Sequence, residues 1–166
     1  MARNEHDSIV TLPLLDRLTD NEPSNRHDPS MTRAQSVRLL KAALRRDLEW
    51  LLNSRRNAIA TEAYPELAKS VYCFGLPDFA AMSFSNPKER TKLLRVLEST
   101  IAVFEPRISA PKVVPLEAAS DSAKSRLLRF QIEGLLKMDP APEQITFDTV
   151  LQLTSGEYTV KGEPGA

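Results

Sequence analysis

Two helical stripes come first along this chain, and alternating strands follow. From about Arg33 to Arg55, the residues Val37, Leu40, Ala43, Leu44, Leu48, Leu51 and Leu52 recur three and four apart. That spacing predicts an amphipathic helix with a wide buried face. Thr32 followed by Gln35 offers it a capping box. Arg38, Lys41, Arg45, Arg46 and Glu49 take much of the other face, with Arg45 and Glu49 spaced to pair. Acidic neighbours make these arginines a solvated face rather than an anion site. Arg55 and Arg56 complement the dipole at the helix end. A second helix is predicted over residues 86–104. Asn86 caps it, Pro87 fits its first turn, Glu89 completes a capping box, and apolar residues fall at 93, 94, 97, 101 and 104. Pro106 stops it, because proline cannot donate the next helical bond and drives Glu105 out of the helical region.

The pattern then turns extended. Arg107 to Leu116 contains Pro111 and Pro115, which points to an edge strand. Residues 117–125 read as a loop. Leu128, Phe130, Ile132, Gly134 and Leu136 alternate with mostly polar neighbours, and Asp139-Pro140-Ala141-Pro142 turns the chain. Ile145, Phe147, Thr149, Leu151 and Leu153 alternate again, so the pair predicts an antiparallel hairpin, with Tyr158 to Val160 continuing its last strand. The expected fold class is α+β, with N-terminal helices packed on one face of a small antiparallel sheet of about three strands.

The intervening stretches are less regular. Residues 1–34 are polar and proline-bearing and predict a flexible segment. It contains one apolar island at 12–18, where Leu14, Leu15 and Leu18 share a face of a two-turn helix. So short a helix needs a surface to dock on, either its own domain or a partner. In 57–84, Val71 to Phe74 has strand-like composition and Pro77 to Met82 has room for a helical turn or two. The expected organisation is therefore a segment 1–34, one domain 35–160 and a frayed tail 161–166.

Composition narrows the function. The chain has 166 residues, 42% of them hydrophobic, which suits one domain with a core. Lys+Arg and Asp+Glu are both 22, so nothing in the charge calls for nucleic acid or an anionic membrane surface, and association with other proteins is unopposed. Neither a secretory signal nor a membrane-spanning run is recognisable, and a cytoplasmic protein is expected. The lone Cys73 excludes an internal disulfide and reads as a small buried hydrophobe. With both histidines, His6 and His27, in the N-terminal segment, no metal site, cysteine–histidine pair or cofactor is expected. No phosphate-binding glycine loop or nucleophile elbow is present.

Carboxylates give the single enzymatic opening. Glu98 and Glu105 are seven apart, about 10 Å between Cα atoms in a helix. An inverting glycosidase needs carboxyls roughly 6.5–9.5 Å apart. Any helix with two acids at this spacing passes that test, and no aromatic cluster suggests a sugar subsite, so the chain is not read as an enzyme. Glu105-Pro106-Arg107 carries two readings. In one, a proline stops a helix and its charged neighbours pair locally. In the other, two charges are fixed beside an edge strand for contact with another subunit. The residues alone favour the first.

Taken together, LPLLDRL, LEWLLNSRR, SVYCFGLPDF, a long helix into FEPRI, and LRFQIEGLLKMDP resemble the TssE family of type VI secretion baseplate subunits. That family groups with the phage baseplate wedge proteins once labelled lysozyme-like. The resemblance implies a structural subunit of a contractile injection machine, linking the wedge to the first ring of sheath and priming sheath assembly. It implies TssF and TssG as wedge partners, TssK nearby, the TssB–TssC sheath, and a baseplate docked at the inner membrane. It also shifts Glu105, Pro106 and Arg107 towards partner binding, with Leu14, Leu15 and Leu18 docking on a wedge subunit. The residual alternative is a peptidoglycan hydrolase using Glu98 and Glu105.

Overall fold

The computed structural model describes residues 9–20, 23–24, 30–57, 64–79, 82, 86–116 and 127–162. Three helices, α1 (Leu14–Leu18), α2 (Arg33–Asn53) and α3 (Pro87–Phe104), precede four strands, β1 (Ile108–Pro115), β2 (Leu127–Leu136), β3 (Glu143–Gln152) and β4 (Glu157–Val160). The strands form one antiparallel meander in the order β1-β2-β3-β4. The fold is α+β, with four strands where about three were expected. The extra one is β4, which the turn around Gly156 (φ 72°) folds back against β3 instead of letting β3 run on.

Strand alternation decides which face is covered. Phe130, Ile132 and Leu136 on β2, Ile145, Phe147 and Leu151 on β3, and Tyr158 and Val160 on β4 are all buried. They meet Leu44, Leu48 and Leu52 of α2 and Leu93, Leu97 and Ile101 of α3 in one core. Each such side chain contributes roughly 1.5–3 kcal/mol on leaving water. α3 packs against β1 and α2 against β4. The register between β2 and β3 is unbroken from Leu127↔Gln152 to Leu136↔Glu143.

Local chemistry sets the ends. Thr32 and Gln35 form the expected capping box on α2. At α3, Asn86 accepts from Lys88 N–H beside Pro87 in the first turn, without the reciprocal bond expected from Glu89. Arg45 donates to the carbonyl of Val160 on β4 rather than pairing with Glu49. Val71 to Phe74 is not a strand: two short 3-10 turns, Leu67–Lys69 and Val71–Cys73, occupy this region. Val71 is exposed while Cys73 is buried, as a small hydrophobe. The helix proposed from Pro77 is absent over 77–79, and the rest of that stretch lies largely outside the described residues. Gly75 takes φ 104° where Leu76 bonds the carbonyl of Ser54, and a Cβ there would collide with that same carbonyl. Residues 117–126 and 163–166, with most of 21–29, lie outside the described residues.

Candidate functional site

The corner after α3 is where the sequence places its charged Glu-Pro-Arg step. Pro106 ends the helix and is exposed, whereas Glu105 is only 5% exposed. Burying a carboxylate requires full pairing, and Arg107 supplies it. Its Nε bonds Glu105 Oε1 at 2.5 Å and its Nη2 bonds Glu105 Oε2 at 2.5 Å. The same Nη2 reaches Asp47 Oδ2 on α2 at 2.8 Å. Asp47 Oδ1 accepts from Arg46 Nε and Nη2 at 3.1 and 2.9 Å. Arg46 in turn forks onto Asp16 of α1, Nη1 to Oδ1 at 2.6 Å and Nη2 to Oδ2 at 3.1 Å. The outcome is a ladder of alternating charge, Glu105–Arg107–Asp47–Arg46–Asp16, tying the corner to α2 and α2 to the N-terminal segment. Lys137, the residue after β2, closes the corner, its Nζ donating to the Pro106 carbonyl at 2.8 Å and its N–H to the Arg107 carbonyl at 2.8 Å.

The ionisation of these groups follows from the ladder. Arg107 is held above the usual guanidinium range, chiefly by its bonds to Glu105, against a counteracting effect of burial, with Asp47 adding to the rise. Arg46 is raised by Asp16 and then Asp47. Asp16 is pulled below the usual carboxylate range, first by its hydrogen bonds from Arg46; burial opposes this, and the charges of Arg46 and Arg107 add to it.

The 12–18 island docks on its own domain, but not through Leu14, Leu15 and Leu18. Val10 and Leu12 pack against the core, Val10 N–H donates to Ser36 Oγ at 3.1 Å, and Asp16 makes the ionic contact. Leu14, Leu15 and Leu18 are 63%, 56% and 75% exposed. The structure thus sets the leucine face and the Glu-Pro-Arg corner at the two ends of one ladder. Sequence reasoning missed Arg46 and Asp47, and no spacing rule links a helix carboxylate to an arginine sixty positions on. It also passed over Trp50, which lies off the apolar stripe and is detectable on that ground alone.

Both sheet edges are closed to varying degrees. Leu116 N–H bonds the Arg129 carbonyl, so by alternation Val113 and Pro115 point their backbone groups away from β2. Proline has no N–H, and the Val113 N–H is taken by Glu98 Oε1 at 2.9 Å. A bulge between Ser109 and Lys112, with Ala110 at φ 48°, further breaks this edge. On β4, the Asn53 amide bonds both the N–H and the carbonyl of Tyr158, at 2.9 and 2.8 Å, as a neighbouring strand would. Protected edges of this kind discourage strand addition.

Glu98 and Glu105 are therefore each committed to a structural bond, one to a strand edge and one to an arginine. Two open depressions of about 480 and 350 Å³ lie on α3 and α2, and neither is lined by these carboxylates. Among the described residues no cluster of metal-ligating side chains is found.

A family model described as baseplate wedge protein gp25 matches residues 38–141. The chain belongs to the baseplate wedge protein gp25 family. Membership supports a structural, baseplate-wedge-like role. The matched span of this gp25 family member runs from α2 past β2, so it contains Arg46, Asp47, Glu105, Pro106 and Arg107 but not α1. No curated protein and no solved structure matches the chain.

Proposed function

We propose that this wedge-family protein is a structural baseplate component of a type VI secretion system, joining the wedge to the first ring of the sheath and priming sheath assembly. The observation that carries the reading is the Glu-Pro-Arg corner. It lies inside the family match and is braced from three sides by Asp47, Lys137 and its own Glu105. A corner fixed in that way presents Pro106 and the outer side of Arg107 in one geometry, which suits a protein interface. Glu105 acts behind them by holding the guanidinium plane.

The partners in this reading are the TssF and TssG wedge subunits, TssK beside them, and the TssB–TssC sheath. Leu14, Leu15 and Leu18 face a wedge subunit. Contact with the sheath runs through side chains at the corner rather than through a continuous strand ladder, since Val113 and Pro115 offer an incoming strand only their carbonyls. The working location is cytoplasmic, in a baseplate docked at the inner membrane. No helix among the described residues is long and apolar enough to cross a membrane.

The test is recovery of bound proteins, read by mass spectrometry, from cells that carry a contractile system. Wild type is expected to retain wedge and sheath components. Arg107→Lys keeps the charge but loses the planar fork and is expected to lose some of them. Arg107→Glu is the wrong probe, because it sets a third carboxylate against Glu105 and Asp47 and unfolds the corner. Recovery of neither wedge nor sheath by wild type, with purified protein degrading peptidoglycan, would overturn the reading in favour of a hydrolase.

A further inference from the structure

α3 turns an unpaired basic face to solvent. At about 100° per residue, Lys88, Lys92, Arg95 and Ser99 fall within roughly 60° of one another, on the side opposite the buried Leu93, Leu97 and Ile101. All four are exposed. None of the three cations makes an ion pair among the described residues. The carboxylates of the same helix, Glu89 and Glu98, lie about 90° to either side, and Glu98 is committed to the Val113 N–H. The cations of α2 are placed differently. Lys41 pairs with Glu143, Arg46 with Asp16 and Asp47, and Arg33 and Arg45 bond the carbonyls of Asp139 and Val160.

This arrangement weakens the helix that carries it. Lys88 and Lys92 are four apart and Lys92 and Arg95 three apart, spacings at which like charges repel. Lys88 also sits in the first turn, at the positive end of the helix dipole. A wider count does not remove the excess. β1 packs on α3 and adds Lys112, and Arg90 lies on α3 itself, so five cations stand against Glu89 and Glu98. At the far end of α3, Glu105, Arg107, Asp47 and Arg46 are already bonded to one another. The chain as a whole is neutral, so the face is a local separation of charge.

Shape and charge together define what fits. A depression of about 480 Å³ follows the face, lined by Lys88, Thr91, Lys92, Arg95, Val96 and Ser99. The row from Lys88 to Ser99 is roughly 16 Å long, and the exposed Ala102 and Val103 continue it. Small side chains at 91, 99 and 102 let a second helix approach closely. The complement is a helix with carboxylates on successive turns and an apolar residue beyond them. Three cations in a row fall short of the roughly 6–10 phosphate contacts of a nucleic-acid binder and of the about 4–8 basic residues that read an anionic lipid surface. α3 lies wholly within the span matched to the wedge family, which makes the wedge the assembly in which such a helix is met.

We propose that the basic face of α3 is a docking surface for an acidic amphipathic helix of a neighbouring wedge subunit, an inference that rests on the wedge reading above. Lys88, Lys92 and Arg95 meet its carboxylates, and Ala102 and Val103 meet its apolar end.

The experiment uses the full chain and the co-expressed TssF–TssG complex, with affinity measured at two salt concentrations. Lys92→Gln combined with Arg95→Gln is expected to weaken binding tenfold or more and to flatten its salt dependence, while thermal unfolding stays at or above the wild-type midpoint because a repulsion has been removed. Arg38→Gln combined with Lys161→Gln removes the same charge from exposed sites off this face and is expected to bind as wild type. Binding that the α3 variant retains, or that the control variant weakens equally, overturns the docking surface and leaves the wedge reading standing. So does a lowered unfolding midpoint in the α3 variant, which would make the face structural. A DNA duplex or an anionic phospholipid vesicle that binds wild type as tightly as TssF–TssG, and the α3 variant weakly, overturns it in favour of a polyanion. No binding of TssF–TssG by wild type overturns the wedge reading and the docking surface with it.

Discussion

Replacing Arg107 by methionine tests the corner most directly. Methionine keeps much of the volume and removes the charge. Glu105 then loses both of its bonds at 2.5 Å and keeps only the backbone N–H of residue 107, at 3.4 Å. Asp47 keeps Arg46 as a partner. Breaking a buried pair by deleting one member costs about 3–5 kcal/mol. Arg107 is only half-buried, so water reaches the site and the expected loss is about 2–3 kcal/mol. In a domain of this size each kcal/mol moves the midpoint by roughly 4 °C, so the Tm falls by about 10 °C. Adding Glu105→Gln removes the stranded charge, and the double variant should return to within about 1 kcal/mol of wild type, since an ion pair replaced as a whole is near neutral. Urea unfolding followed by circular dichroism reads all four members of the cycle. If Arg107→Met unfolds with wild type, or if the double variant is no better than the single one, Glu105 is not held as a buried charge and the account of the corner fails.

Other expectations follow from the same structure. The Tyr158 hydroxyl is buried with no hydrogen-bond partner among the described residues, and burial pushes its pKa up to about 12 from 10.0. A raised acid favours the fold while it is protonated, so stability is full below pH 10 and falls by up to roughly 3 kcal/mol as pH rises through 12; Tyr158→Phe should remove that slope and match or exceed wild type at pH 7, and a slope surviving in the variant would exclude Tyr158 as its source. Asp16 is lowered by Arg46, so its hold on α1 is complete above the ordinary value of 3.8 and is lost as pH falls through the lowered one. NMR relaxation should therefore show residues 14–18 loosening at acid pH, and at pH 7 in Asp16→Asn, by about 1 kcal/mol or less for so exposed a pair; a rigid α1 in both conditions refutes the tether. Glu98→Ala frees the Val113 N–H at the β1 edge, and light scattering should then detect concentration-dependent self-association; a variant that stays as monomeric as wild type removes the edge-capping role.

Local chemistry made much of the architecture legible in the sequence. The α2 stripe, the Thr32–Gln35 box, the Asn86–Pro87 start, the stop at Pro106 and the alternation through Phe130, Ile132, Ile145 and Phe147 each depend on residues within a few positions of one another. Helix periodicity and strand alternation are properties of the chain itself, and they survive without knowledge of what packs on them. Val71 to Phe74 misled for the converse reason: β-prone composition there gave way to two 3-10 turns, because strand formation needs a neighbouring ladder.

The site was only half legible. Glu105-Pro106-Arg107 stood out because proline at a helix end is a local signal. That Arg107 also reaches Asp47 was decided by the fold alone, since the sequence puts the two sixty residues apart and the structure puts them at 2.8 Å. The same holds for α1. The sequence determined that Leu14, Leu15 and Leu18 share a face, but tertiary structure decided that Asp16 turns inward to Arg46 and the leucines remain in water. A helix of five residues has too little cooperativity to fix its own orientation, so tertiary contacts set it: Val10 and Leu12 hold the segment against the core, and the Asp16–Arg46 pair turns the aspartate inward.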